Sequence, residues 1–188
     1  MILKNLNKII AVLTIILVIV LIWKALQPEE HYSKVELVNT NFIVNDSQLP
    51  FIDTTLAVGL NLAGVNFTSV VVKDLTGEIQ SKFRQDNVGV ELYAAIIGNR
   101  SQFILYIRDV SRRESIKIIA HEIIHLLQYK SGRLSVMPPD KIFWQGDTLT
   151  NDDLYNMTYV DRPWEREAFD GEDGLADKME EILYGKNM

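Results

Sequence analysis

Hydrophobic positions fall along the chain in three rhythms. From Ile9 to Trp23 they form one run broken only by Thr14, and Ala25 and Leu26 prolong it past Lys24. Eighteen helical residues rise about 27 Å, close to the thickness of a thin hydrocarbon core. Trp23 suits the interfacial belt, Lys24 can snorkel, and Lys4 and Lys8 precede the run. The pattern predicts a transmembrane signal anchor over 9–26 with residues 1–8 cytoplasmic and the remainder, after a polar linker over 27–33, extracytoplasmic. A cleaved signal peptide and a buried core helix are the competing readings. The stretch Trp-Lys-Ala-Leu-Gln-Pro that follows the run contains no Ala-x-Ala cleavage site.

The second rhythm is that of short strands. Lys34–Val38, Phe42–Val44, Phe67–Val72, Val88–Ile97 and Phe103–Ile107 read as strands, with Gly98-Asn99 a turn before the last. Thr54–Val65 has helical spacing weakened by Gly59 and Gly64. The third rhythm is helical and strong: Ile116, Ile119, Ala120, Ile123, Leu126 and Leu127 share one face between Ser111 and Lys130. Ser111 and Glu114 form a capping box at its start, and Gly132 stands where the helix should end. Beyond it lie a Pro-rich turn over 137–140, a hairpin over 141–150, a helix over 163–169 and a final amphipathic helix over 175–184. Residues 34–188 thus read as one α+β domain without internal repeats.

The chain has 188 residues, 47% of them hydrophobic and 23% charged, which excludes a disordered, collagen-like or coiled-coil protein. No cysteine is present, so thiolate metal sites, disulfides and a cysteine nucleophile are excluded. Residues 1–30 hold three Lys against two Glu, so the net charge of −6 becomes −7 for residues 31–188. An acidic domain of this kind is no nucleic-acid binder and has little attraction to anionic lipid.

Chemistry concentrates in the long helix. His121-Glu122-Ile123-Ile124-His125 places two imidazoles four residues apart, about 40° from one another on the same face. That spacing lets both nitrogens reach one tetrahedral zinc at about 2.0–2.1 Å. Glu122, rotated by about 100°, is placed to take a proton from water at the ion and not to ligate it. An inert pair of core histidines is the plainer alternative, but burying two imidazoles and a carboxylate without a metal is costly.

With its strand–helix context, the His-Glu-x-x-His helix resembles that of the zincin metallopeptidases. The resemblance implies a peptide or protein substrate held by β-augmentation along an edge strand, for which Phe103–Ile107 is positioned. Gln128 and Ser131 stand where the metzincin pattern requires Gly and His, and His31 adjoins the anchor, so the likeness is to the gluzincin branch, with a downstream glutamate as third ligand. Gln145 stands at the thermolysin-type spacing for that glutamate. Arg162-Pro163-Trp164-Glu165-Arg166-Glu167-Ala168 is similar to the Glu-x-x-Ala pattern of small gluzincins, with Trp144-Gln145-Gly146 ahead of it. Glu165 is the favoured third ligand and Glu167 the alternative.

These readings describe a membrane-anchored, one-zinc peptidase with ligands His121, His125 and Glu165 and with Glu122 as general base. The alternative is an anchored, catalytically inactive scaffold of the same fold. An intramembrane protease is a poor fit, since the motif helix also carries Arg112, Arg113, Glu114, Lys117 and Lys130. Tyr159 or Tyr155 is a candidate oxyanion donor, and Asp161 or Asp170 a candidate partner for a ligand histidine. Phe143 and Trp144 read as core rather than lid. Asp152-Asp153 and Gly171–Gly174 read as solvated loops. Oligomeric state is left open.

Overall fold

Alternating burial in three strands sets the architecture. The computed structural model describes residues 41–84, 92–137 and 141–185. Strand β2 (Ser69–Asp74) buries Val70 and Val72, and β4 (Gln102–Ile107) buries Phe103, Leu105 and Ile107. Strand β3 (Ala94–Gly98) buries Ala94 and Ile96. With β1 (Phe42–Asn45) they form a sheet in the order β1-β2-β4-β3, parallel except for the antiparallel β3. Helix α1 (Ile52–Leu62) makes the crossover that a parallel β1–β2 pair requires. Helix α2 (Gly77–Arg84) follows β2.

One core joins the sheet to α1, α3 (Arg112–Lys130) and α5 (Pro163–Tyr184), through Ile52, Leu56, Leu105, Ile119, Ile123 and Met179. Helix α3 packs most extensively against α5. A second antiparallel sheet is built from β5 (Leu134–Met137), β6 (Lys141–Trp144) and β7 (Asp147–Leu149). Its β6–β7 turn holds Gln145 at φ 48° and Gly146 at φ 108°, the double left-handed conformation that suits strand twist. Trp144 packs on Trp164 with ring centroids 6.2 Å apart, tying this sheet to the start of α5 together with Leu134 and Leu154. A short helix α4 (Asn151–Tyr155) and a 3-10 turn (Tyr159–Asp161) lead into α5.

The mixed α+β class, the Ser111–Glu114 capping box and the hairpin agree with the sequence reading. Trp144 is core, as expected, with Phe143 half-buried next to it. Several boundaries differ. Helix α1 begins at Ile52, whose side chain is fully buried, and the chain leaves the helical path before Gly64 at φ 67°. Phe67 lies outside β2, with φ 54° and 79% exposure. Strand β4 is not the edge strand: it has β2 on one side and β3 on the other, so β3 is the edge on that side among the described residues. The expected loop at 171–174 is continuous helix, and the two expected C-terminal helices are the single α5. Asp152 and Asp153 lie in α4, where Asp153 accepts the N–H of the N-cap residue Thr150, and both are exposed. Helix α2 and strand β5 were not expected. The anchor, linker, His31, Lys34–Val38 and the start of Val88–Ile97 lie outside the described residues. Among the described residues no helix is long and apolar enough to cross a membrane.

Close helix packing depends on Gly59. A Cβ there would run into Ile123 Cδ1 and lie 3.0 Å from Met179 Cε, and both neighbours are fully buried. Gly59→Ala should therefore destabilise the domain by about 1–3 kcal/mol, outweighing its gain in helix propensity of about 1 kcal/mol. Urea unfolding measures this; a variant as stable as the parent would contradict the packing.

Candidate metal centre

The capping box fixes where α3 starts, and nineteen unbroken helical residues then carry His121 and His125 onto one face. Their rings meet edge to face with centroids 4.8 Å apart, and their Nε2 atoms are 3.1 Å apart. Helix α5 closes the site from the other side. Ala168 is fully buried, and a Cβ on Gly171 would stand 2.8 Å from Ile124 Cδ1, so small residues bring α5 close to α3. Glu165 Oε2 arrives 3.2 Å from His121 Nε2 and 3.1 Å from His125 Nε2. The three atoms form a near-equilateral triangle. Tetrahedral ligands about 2.0 Å from a zinc ion are separated by about 3.3 Å, so these donors match that ion in spacing and in type.

The outward-facing atoms fix the orientation. His121 Nδ1–H donates to Glu172 Oε2 at 2.7 Å, and His125 Nδ1–H donates to Gln128 Oε1 at 2.9 Å. The Gln128 amide is itself oriented because its Nε2 donates to the Trp164 carbonyl at 2.9 Å. Protons held at both Nδ1 positions turn both Nε2 lone pairs inward. Trp164 Nε1–H donates to Glu165 Oε1 at 3.1 Å, which leaves Oε2 for the histidines, and the Tyr159 phenol also donates to this carboxylate. Lys117 bridges Glu172 at 3.1 Å and Asp173 at 2.8 Å.

Electrostatics follow from this crowding. Burial pulls the His125 pKa down, but hydrogen bonding to and the charge of Glu165, with Glu122 and Gln128 adding, carry it up to about 9. His121 is raised in the same way, burial being outweighed by Glu165 and Glu122. Burial pushes Glu165 up, yet the hydrogen bonds from His121 and His125 hold it at about 2. Glu122 goes the opposite way: its burial, at 6% exposure, outweighs the histidine charges and raises its pKa. It accepts the Ile96 N–H, while its buried Oε2 has no hydrogen-bond partner among the described residues.

Two cavities meet at Glu122, Tyr159, Leu92 and Ala94. One, of about 310 Å³, runs past Ile96, Ile97 and His125 toward Trp164; the other, of about 690 Å³, runs past His121 toward Ile118 and Phe169. Together they make a cleft along β3, the edge of the sheet next to the site.

His121, Glu122, His125 and Glu165 thus come together, with the three ligand-type residues grouped around one point. The alternative Glu167 does not join them. It forms a bidentate pair with Arg133 at 2.6 and 2.7 Å. Asp161 bonds Thr158 and Arg166, and Asp170 is exposed, so neither supports a histidine. Tyr155 is 90% exposed, whereas Tyr159 lines the cleft. The residues that do support the rings, Glu172 and Gln128, were missed. Glu172 lies seven residues after Glu165, two helical turns on the same face, but Gly171 and Gly174 disguise the helix that makes this spacing meaningful.

No protein-family model, curated protein or solved structure matches the chain.

Glu165→Ala should abolish tight zinc binding in a competition titration, while Glu167→Ala should leave it intact. Glu172→Ala should weaken it by about 10–100-fold through the loosened His121 ring. Equal affinities for the Glu165 and Glu167 variants would contradict the assignment. The ionisation of the metal-free site has its own consequence. Raised from 6.5 to about 9, His125 contributes stability in full below about 6.5, and this is lost as pH climbs through 9. Depressed from 4.5 to about 2, Glu165 contributes above about 4.5, and this is lost as pH falls toward 2. A metal ion must displace the histidine proton, so zinc binding at pH 7 should release at least one proton per ion. Calorimetry in buffers of different ionisation enthalpy reads that number directly, and no release would contradict the protonated resting state.

Proposed function

We propose that this chain is a zinc-dependent peptidase of gluzincin type, anchored by residues 9–26 with its domain outside the cytoplasm. The observation that carries the reading is one arrangement: three buried ligand atoms within 3.2 Å of one another, and Glu122, whose buried Oε2 has no hydrogen-bond partner among the described residues, in the lining of the cavities beside them. His121, His125 and Glu165 would hold the ion, and Glu172 and Gln128 would orient the two rings. A zinc ion held there supplies Lewis acidity to a water and to a substrate carbonyl.

The chain's own residues perform the remaining work. An extended peptide lies along β3, adding a strand to the sheet edge. Glu122 takes a proton from the attacking water as its oxygen bonds to the carbonyl carbon, then passes that proton to the amide nitrogen as the C–N bond breaks. Its raised pKa suits both halves of this transfer. Burial also raises the Tyr159 pKa, keeping the phenol protonated; its O–H, which rests on Glu165, would turn toward charge developing on the carbonyl oxygen. The cleft remains open next to Glu122, which disfavours a purely scaffolding role.

Glu122→Gln should keep zinc at full stoichiometry and lower peptide hydrolysis by about 10²–10⁴-fold, read by mass spectrometry of cleaved peptides. Tyr159→Phe should lower kcat by about 10–100-fold with KM little changed. A fully active Glu122→Gln protein would contradict the proposed base.

A further inference from the structure

Phe67 stands where local energetics alone would not put it. Its backbone is left-handed, at φ 54°, a conformation that suits Gly or Asn and strains a bulky residue, and its ring is 79% exposed. The tip is nevertheless firmly held. Lys130 Nζ donates to Asn66 O at 3.0 Å and to Thr68 Oγ1 at 3.1 Å. Asn41 ties the flanks together: its Nδ2 donates to the Val65 carbonyl, and its Oδ1 accepts the Thr68 N–H. The Phe42 N–H donates to the Thr68 carbonyl, which brings a second exposed aromatic residue, Phe42 at 68%, next to the tip.

Charge is distributed unevenly around these two residues. Strands β1, β2 and β4 begin at this end of the sheet, with Phe42 paired to Ser69 and Ser69 to Gln102, and α3 ends here at Lys130. Arg100 lies in the turn before β4, where a Cβ on Gly132 would stand 3.5 Å from its Nη2. Segments 40–42, 61–68, 98–102 and 129–133 contain no Asp or Glu but carry Arg100, Lys130 and Arg133. Arg133 pairs with Glu167, whereas Lys130 is engaged by the two neutral oxygens named above and Arg100 is exposed. The net charge of −7 for residues 31–188 thus conceals a cationic, aromatic end.

Resting on the reading of 9–26 as an anchor, we infer that this end of the domain, Phe42 and Phe67 flanked by Arg100 and Lys130, docks on the lipid surface of the membrane that holds the chain. The chain enters the described domain at Asn41, next to both aromatic residues. Residues 27–40 make a tether no longer than about 50 Å even when fully extended, so lipid is the surface always within reach. Exposed aromatic rings enter the headgroup boundary, and cations beside them meet lipid phosphates. A tip already fixed in its strained form loses little further freedom on docking. Strands β2 and β4 separate β1 from β3, so contact at Phe42 and Phe67 does not occupy the edge assigned to the peptide.

The chain has no cysteine, so one introduced thiol can carry a fluorophore at a chosen place. Full-length Asn61→Cys protein, labelled at the exposed end of α1 beside the tip, is reconstituted into phosphatidylcholine vesicles with and without phosphatidylglycerol. Asp109→Cys is the control, exposed and lying between the far end of β4 and the start of α3. Lipids bearing a nitroxide near the headgroup should quench the label at 61 about fivefold more strongly than the label at 109. Phe67→Asn, which suits the left-handed backbone, should keep or raise thermal stability yet weaken docking about tenfold. Arg100→Glu should weaken it about tenfold on the anionic vesicles and little on the zwitterionic ones, and rising salt should erase that difference. Equal quenching at 61 and 109, in a chain that alkaline extraction leaves in the vesicles, overturns the docking surface and leaves the anchor standing. A chain released by alkaline extraction overturns both. Concentration-dependent shielding of the label from aqueous iodide, without quenching by lipid, marks a contact between copies of the chain and overturns the lipid assignment.

Discussion

Everything at this site depends on an electrostatic conflict built into the fold. Two imidazole nitrogens and a carboxylate oxygen are held within 3.2 Å of one another, and all three carry lone pairs. Left without positive charge, they repel. The metal-free protein resolves the conflict with protons, which is why His125 is raised to about 9 while Glu165 falls to about 2. A divalent cation would resolve it better, because one ion could engage all three atoms. Gln128, Glu172 and Trp164 grip the far sides of these groups and keep the conflict from relaxing by rotation.

That grip is inherited from packing. Helix α3 carries four of the residues concerned, His121, Glu122, His125 and Gln128; α5 carries Trp164, Glu165 and Glu172. Ala168 and Gly171 let the two helices approach, and Met179 and Ile123 seal the core beneath them. Trp164 joins the layers, since it packs on Trp144, accepts from Gln128 through its carbonyl and donates to Glu165 through its indole. The second sheet thereby serves two ends: it braces the start of α5 and walls the smaller arm of the cleft.

Much of this was legible in the sequence because the information is local. The capping box, the helical period and the four-residue histidine spacing all lie within twenty consecutive residues. Glu165 was separable from Glu167 only weakly, as both lie at the start of one helix; what distinguishes them is Arg133, 34 residues away, which pairs with Glu167. The edge strand was misassigned to β4 because Phe103–Ile107 has the stronger apolar pattern, and that pattern reflects burial between two neighbours rather than position at an edge. Glycines at 171 and 174 signal a loop locally; tertiary contact with Ile124 overrides them, and Glu172 went unread for that reason.

X-ray absorption at the zinc edge on the full chain tests the central claim most directly. The account predicts one ion per chain whose inner shell shows two imidazole nitrogens and carboxylate oxygen at about 2.0–2.1 Å. A shell without imidazole scattering, or a folded chain that takes up no ion, would contradict it.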